Sequence, residues 1–377
     1  MTIARLADLA DPAKTPRLVI KVGSALLVGR DGQPRREWLA SLSKEIAAAR
    51  GRGQQIVVVS SGAIALGAAK LGLEKGGRGS LADAQAAAAV GQIALGSLWA
   101  ELLEAEGITA AQLLVTLYDL DDRRRYLNAS ATIGKLLKSG AVPVINENDS
   151  VATHEIRFGD NDRLAARAAQ AARADAVALL SDVDGLYDRD PVLKDAVLVP
   201  VVEGVTAAIH DMASTASTSG MGSGGMTSKL QAAEIAERAG IALAILNGTY
   251  DAPLERAIGG DRGTLFLPRR NDGALKTWLG GRQRMAGLLV VDKGCAKALS
   301  KGGSLLATGI VNVEGDFSRG DPVGVRDEKG RSLAQGLVEY DSAEVEQIKG
   351  KRSEEIQPIL GYSPRSAVIH RDQLVLL

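Results

Sequence analysis

Short apolar runs rich in β-branched residues alternate with longer segments of helical periodicity through the first two thirds of the chain. Strands are expected at Leu18 to Val22, Ile56 to Val59, Leu113 to Thr116, Ala141 to Ile145, Ala176 to Leu180 and Ile241 to Leu246, where apolar side chains follow one another without polar alternation. Between the first two, Leu39, Leu42, Ile46 and Ala49 share one helical face, and Gly51 and Gly53 should end that helix. Alanine-rich stretches from Leu81 to Glu106 and from Arg163 to Arg173 extend the alternation. The pattern predicts an α/β fold with a mainly parallel central sheet flanked by helices.

The pattern changes after Pro268. Residues 269–281 are polar and glycine-containing and read as a linker. Beyond them come short runs at Gly287 to Val291, Ile310 to Val313, Pro322 to Arg326, Gly336 to Tyr340 and Ala367 to His370, with a small helix around Ala296 to Leu299. Strands of this length broken by glycine turns predict a small C-terminal β-barrel-like domain of ~100 residues. The expected organisation is 1–268, a linker at 269–281, and 282–377. At the other end, Arg5, Asp8, Asp11 and Lys14 interrupt any leader-like apolar run, so residues 1–16 read as a short extension of uncertain order. No apolar run is expected to approach the ~20 residues that a bilayer crossing requires, so no membrane partner is expected.

Charge and cysteine content narrow the function classes. The 45 Lys and Arg residues equal the 45 Asp and Glu residues, which removes any global bias toward polyanions. Cys295 is the single cysteine and His154, His210 and His370 are far apart in sequence, so neither an internal disulfide nor a Cys/His zinc site is expected. A reducing, cytoplasmic setting fits that usage.

The densest candidate chemistry lies between Asn146 and Asp162, NENDSVATHEIRFGDND, where acids and carboxamides gather just past a buried strand. Ligands in open α/β sheets bind beyond the carboxyl ends of strands, and such groups can hold an ammonium ion or position a catalytic cation. Lys21-Val22-Gly23-Ser24 and Ser60-Ser61-Gly62-Ala63 are glycine turns from strand to helix, where backbone N–H groups can approach an anion. Neither is a Walker A or GxGxxG sequence. Ser219 to Lys229, SGMGSGGMTSK, opens a helix with flexible glycines, hydroxyls and a lysine, which suits closure over a polyphosphate. Ser181-Asp182-Val183-Asp184-Gly185 follows a buried strand and is placed to line a nucleotide pocket. Lysines and carboxylates in one α/β domain suit phosphoryl transfer, which depends on positioning and charge stabilisation. An acceptor carboxylate, with a pKa of roughly 4, would need no general base at neutral pH.

Taken in order, these motifs resemble the glutamate 5-kinases of the amino-acid kinase family, followed by a PUA domain. The resemblance covers nearly the whole chain. Its most specific parts are Val142 to Asp162, Leu179 to Tyr187 (LLSDVDGLY), Gly222 to Ala233 (GSGGMTSKLQAA), Glu314 to Gly320 (EGDFSRG) and Ile359 to Tyr362 (ILGY). It implies an amino-acid-kinase-type sandwich over 1–268 and a PUA domain over 282–377. The activity implied is ATP-dependent phosphorylation of the γ-carboxylate of L-glutamate, the first step of proline biosynthesis, with ATP and Mg²⁺ as cofactors. Feedback inhibition by proline, homo-oligomerisation and hand-over of the product to glutamate-5-semialdehyde dehydrogenase are implied as well. Carried over by position, Lys21 and Lys229 would bind the ATP phosphates, with Asp162 orienting them and Asp160 beside it. Ser61, Gly62, Asn146, Asp149 and Asn161 would hold glutamate, Asp149 through the α-ammonium group. Ser181, Asp182 and the stretch Ser223, Gly224, Gly225, Met226, Thr227, Ser228 and Lys229 would hold the nucleotide. No metal ligands are implied.

Two departures bear on affinity. Arg157 stands where the family commonly has lysine, a planar fork in place of a point donor. Ser60, Ser181 and Ser223 stand where threonine is frequent, a swap that keeps the hydroxyl. The alternatives left open are a kinase for aspartate or N-acetylglutamate, and an RNA-binding protein acting through the tail. An acetylated substrate would leave Asp149 without its cation, at a cost of several kcal/mol (~3 to 5) if it is buried. Aspartate is one methylene shorter, worth only ~1 to 3 kcal/mol, so pocket length must exclude it. For RNA, residues 277–377 carry 14 Lys or Arg against 13 Asp or Glu, without the basic footprint that phosphate binding favours.

Overall fold

The apolar runs become strands β1 (Arg17–Val22), β2 (Gln55–Ser60), β3 (Ala110–Val115), β4 (Val142–Glu147), β5 (Ala176–Ser181) and β7 (Ala242–Asn247), joined by the short β6 (Val201–Val202) and β8 (Thr264–Phe266). They form one eight-stranded sheet in the order β3-β4-β2-β1-β5-β7-β8-β6. The six strands from β3 to β7 in that order are mutually parallel. β8 runs antiparallel to β7, and β6 pairs in parallel with β8. The helices are α1 (Ser24–Leu27), α2 (Arg36–Gly51), α3 (Ala63–Leu71), α4 (Leu81–Glu104), α5 (Leu117–Asp121), α6 (Arg123–Lys138), α7 (Asp160–Ala172), α8 (Ala207–Thr215), α9 (Met226–Arg238) and α10 (Pro253–Gly259).

The computed structural model describes residues 3–29, 31–151, 160–215, 225–260, 262–268, 285–362 and 367–376. The expected linker at 269–281, Arg157, and Ser223 and Gly224 lie outside the described residues. The chain divides into two compact units, Met1–Asp122 with Asn128–Arg270, and Arg123–Leu127 with Asn271–Leu377.

The absence of polar alternation in the central strands has a direct cause, because both faces of the sheet are covered. Leu18, Ile20, Val22, Ile56, Val58, Ala178, Leu180, Ala244 and Leu246 join one core with Leu39, Leu42 and Ile46 of α2 and Leu95, Trp99 and Leu103 of α4. The intervening residues Val19, Val57, Val59, Val177, Leu179, Leu243 and Ile245 are equally buried, on the face that α7 and α9 pack against. Both of those helices begin at the end of the sheet where β1, β2, β4, β5 and β7 finish. That arrangement puts the first turns of α7 and α9 beside the glycine turns.

α3 and α4 cross at backbone contact. A Cβ added to Gly91 would lie 1.7 Å from the Ala63 carbonyl oxygen, and one added to Gly67 would lie 1.8 Å from that of Ala87. Any larger residue at either position would push the start of α3 out of place. α4 corrects the expectation about apolar runs, since its length and hydropathy alone would allow a membrane crossing. Its Leu95, Leu98, Trp99 and Leu103 are instead buried in the sheet's core, which accounts for part of that apolar character.

The amino-terminal extension is also corrected. Leu6–Ala10 form a 3-10 helix, and Ile3, Leu6 and Leu9 are buried in the main core. Asp8 accepts hydrogen bonds from the backbone N–H groups of Ala4 and Arg5 and from Lys14 Nζ at 2.7 Å. Burial alone would raise the Asp8 pKa, but these donors bring it to about 2. Gln54 fastens the segment further, donating to the carbonyls of Leu9 and Thr15.

In the second unit β9 (Gly287–Val291), β11 (Ile310–Gly315), β12 (Pro322–Asp327), β13 (Ser332–Leu337) and β15 (Leu374–Leu376) form a five-stranded sheet in the order β11-β9-β12-β13-β15. β10 (Leu305–Leu306) pairs separately with β14 (Ala367–Ile369). The strand expected at Gly336 to Tyr340 is displaced toward the amino terminus, with Val338 and Tyr340 turning into the core beyond its end.

Candidate functional site

β1 delivers Lys21 to the end of the sheet and the chain turns at Gly23. A Cβ there would lie 3.7 Å from both the Leu180 carbonyl oxygen and Lys21 Nζ, so the turn runs between the lysine and the end of β5. Asp162, in the first turn of α7, is fully buried. Its Oδ1 is 2.6 Å from Lys21 Nζ and its Oδ2 is 3.3 Å from Lys229 Nζ, in the first turns of α9. Both lysines are themselves more than nine-tenths buried. Burial pushes the Asp162 carboxyl up, but the two ammonium groups override it and hold the group below the usual carboxylate range. The three charges sum to +1, and a buried cluster of that sign suits an incoming anion.

One residue earlier on α7, Asn161 donates from Nδ2 to Ser61 Oγ at 2.7 Å and to Asn146 Oδ1 at 3.3 Å. Asn146, at the end of β4, donates in turn to Gln92 Oε1 at 2.8 Å. Asn161 Oδ1 is a buried acceptor with no donor among the described residues. Amide orientation follows from this network, since each Nδ2 has an oxygen to reach. Gly62 caps α3 at φ +107°, a left-handed backbone in which a Cβ would also stand 3.0 Å from Leu27 Cδ2. Ser61, Asn146 and Asn161 are therefore brought together in one network.

Asp149 sits apart from those bonds. It lines a surface cavity of about 330 Å³ with Gln92, Ile93, Gln112, Leu114, Glu147, Asn148 and Ser150. Arg78, from the turn before α4, faces it electrostatically: partial burial lowers the guanidinium pKa and the Asp149 charge opposes that. Asp160 opens α7, but its side chain lies outside the described ones.

On the nucleotide side, Ser181 ends β5 nearly buried, accepting from the Gly248 N–H at 2.7 Å through its carbonyl and donating from Oγ to Asp182 Oδ1 at 3.2 Å. Gly225 caps α9, and Met226, Thr227 and Ser228 make up its first turn ahead of Lys229. Among the described residues no three His, Cys, Asp or Glu side chains gather to hold a metal ion.

Two residues were missed by sequence reasoning. Gln92 carried a signal, an amide placed directly after the apolar stretch Ala86 to Gly91 of a long alanine-rich helix. Arg78, in the polar turn GGRGS, carried none. Trp99 explains why Ser60 stays out of the network, since its Nε1 donates to Ser60 Oγ at 2.9 Å.

The strand ends of a parallel sheet gather two lysines around one carboxylate, an arrangement suited to an anionic ligand, and comparison with known proteins places the chain in a family of kinases. The amino acid kinase family model matches residues 16–247 and the PUA domain model matches residues 287–360. The chain belongs to the amino acid kinase family. At the level of individual proteins it is similar to the glutamate 5-kinase of Novosphingobium aromaticivorans, 66% identical over 377 residues and the full length of both chains. The glutamate 5-kinase of Sphingopyxis alaskensis is 57% identical, covering 98% of this chain and 100% of its own. That of Zymomonas mobilis is 54% identical, covering 97% and 92%. Among solved structures, an isopentenyl phosphate kinase aligns with 66% of this chain and 99% of its own at 20% identity and a TM-score of 0.43.

Proposed function

We propose that the protein transfers the γ-phosphoryl group of ATP to the γ-carboxylate of L-glutamate, giving γ-glutamyl phosphate and ADP. The observation that carries this reading is the buried grip of Lys21 and Lys229 on Asp162. The full-length similarity to glutamate 5-kinases supports the choice of acceptor. The transferring phosphoryl group gathers charge on its equatorial oxygens, and the two ammonium groups stand fixed to receive it. Asp162 holds the two ammonium groups in place, one on each carboxylate oxygen. Glutamate attacks as a carboxylate, so no proton has to be removed from it.

The acceptor is assigned to Ser61, Gly62, Asn146 and Asn161, with the open Asn161 Oδ1 available for a substrate N–H. Asp149 is assigned to the α-ammonium group. Ser181, Asp182 and the segment 223–229 are assigned to the nucleotide, and Asp160 to support of the lysine pair. Mg²⁺ is expected to enter with the phosphates. A cytoplasmic setting belongs to the same proposal, in keeping with the single cysteine. Inhibition by proline, self-association and hand-over of the labile acyl phosphate to a reductase belong to the same proposal, as do the domain limits 1–268 and 282–377.

The test is ATP turnover with hydroxylamine, which captures an acyl phosphate as a hydroxamate, using L-glutamate, L-aspartate and N-acetyl-L-glutamate. Hydroxamate from glutamate alone is expected. Product from another acid and none from glutamate would overturn the acceptor assignment.

A further inference from the structure

Beyond Ser181 the chain turns through Asp182, Val183, Asp184 and Gly185 before Leu186 and Tyr187. Asp184 receives three donors from three different places. Asn247, at the end of β7, donates from Nδ2 to Oδ1 at 2.8 Å. Tyr187, within the turn, donates its hydroxyl to Oδ2 at 3.0 Å. Arg262, leading into β8, donates from Nη2 to the same oxygen at 2.8 Å. Two backbone ties complete the fastening: Ser181 O accepts from Gly248 N–H at 2.7 Å, and Leu186 N–H donates to Thr264 Oγ1 at 2.8 Å. A Cβ on Gly185 would lie 2.5 Å from that hydroxyl, so the approach requires glycine.

We propose that Asp184 is a positioning residue for the nucleotide, clamping the 181–187 turn to the ends of β7 and β8 so that Ser181 and Asp182 are held in their binding geometry before ATP arrives. The inference rests on the assignment of Ser181 and Asp182 to the nucleotide. Asp184 points into its own clamp, so its effect passes through the turn. An ordered turn binds more tightly than one that must be ordered on binding, and the gain appears in affinity and not in the chemical step. The three contacts differ in weight. The Arg262 side chain is 67% exposed and that of Asp184 is 17% exposed, so water screens the ion pair. The bonds from Asn247 and Tyr187 carry most of the clamp.

The test compares Asp184→Ala, Asp184→Asn, Arg262→Ala and Asp182→Ala by steady-state kinetics and by calorimetric titration with ADP. Asp184→Ala is expected to raise the KM for ATP and weaken ADP binding about five- to tenfold, with kcat within about twofold and the glutamate KM unchanged. Asp184→Asn, which keeps an acceptor for Asn247, falls between that variant and the parent, and Arg262→Ala has the smallest effect of the three. Unchanged ADP affinity in Asp184→Ala, with weakened affinity in Asp182→Ala, would overturn the positioning role and leave the nucleotide assignment standing. If neither variant altered ADP affinity, the nucleotide assignment itself would fall. Equal losses in both KM values and kcat, with a lowered melting temperature, would reduce Asp184 to a general stabilising residue and also overturn the proposal.

Discussion

Asn161 and Ser61 are 100 positions apart in the chain and joined by a hydrogen bond of 2.7 Å. The next residue on α7, Asp162, turns instead to Lys21 and Lys229. Adjacent positions on one helical turn thus serve two neighbouring regions, a carboxamide cluster suited to an amino acid and a cationic cluster suited to phosphate. Their adjacency on one helix fixes the register between the two groups.

Removing the Asp162 carboxylate leaves two buried ammonium groups facing each other. Asp162→Ala and Lys229→Ala are each expected to lower kcat more than about tenfold. Near-normal turnover in a folded variant would take that residue out of the mechanism.

Asp162 also predicts an acid-side stability effect. Its folded pKa lies below the ordinary 3.8, so the unfolded chain binds the proton more readily. The stabilisation is therefore complete above that value and is lost as pH falls through the lower folded value. Thermal melting from pH 6 downward to about 2.5 should show a shallower decline in Asp162→Asn than in the parent. Parallel curves would contradict the shift.

Glu45 should act in the opposite sense. Burial raises its pKa from 4.5 to about 7, although its carboxylate accepts from the N–H groups of Leu254 and Glu255 at the start of α10. The folded state holds the proton more tightly, so this contribution is full below 4.5 and fades as pH rises through about 7. Glu45→Gln should flatten the fall in melting temperature across that window; an unchanged slope would refute it.

Asp149→Ala is expected to raise the KM for glutamate with little change in the KM for ATP. Arg78 interacts electrostatically with the same carboxylate. An unchanged glutamate KM would withdraw the ammonium assignment.

Leu9 is 1% exposed and packed into the main core from the amino-terminal segment. Leu9→Ala should cost about 2 to 5 kcal/mol of stability, read by denaturant melts, while the KM values stay near those of the parent. A loss under about 0.5 kcal/mol would mean that the extension merely rests on the surface.

By itself the sequence determined the central strands, because strands covered on both faces must be apolar at every position. β1, β2, β4, β5 and β7 fall within a residue or two of the expected limits. Their ends and the glycine turns marked Lys21, Ser61, Asn146, Ser181 and Lys229 as candidates before any contact was known. Strand order lay outside its reach, and with it the meeting of Lys21, Asp162 and Lys229, because pairing between distant segments depends on how the whole sheet closes. The amino-terminal segment reads as polar since its charges are as frequent as its leucines, yet three apolar side chains and the Asp8 bonds suffice to seat it against the core. α4 is apolar in part because it packs Leu95, Leu98, Trp99 and Leu103 into the core and crosses α3 at Gly67 and Gly91, where only small residues fit. Tertiary packing alone decided those two, since hydropathy records how much apolar surface a segment has and not what covers it.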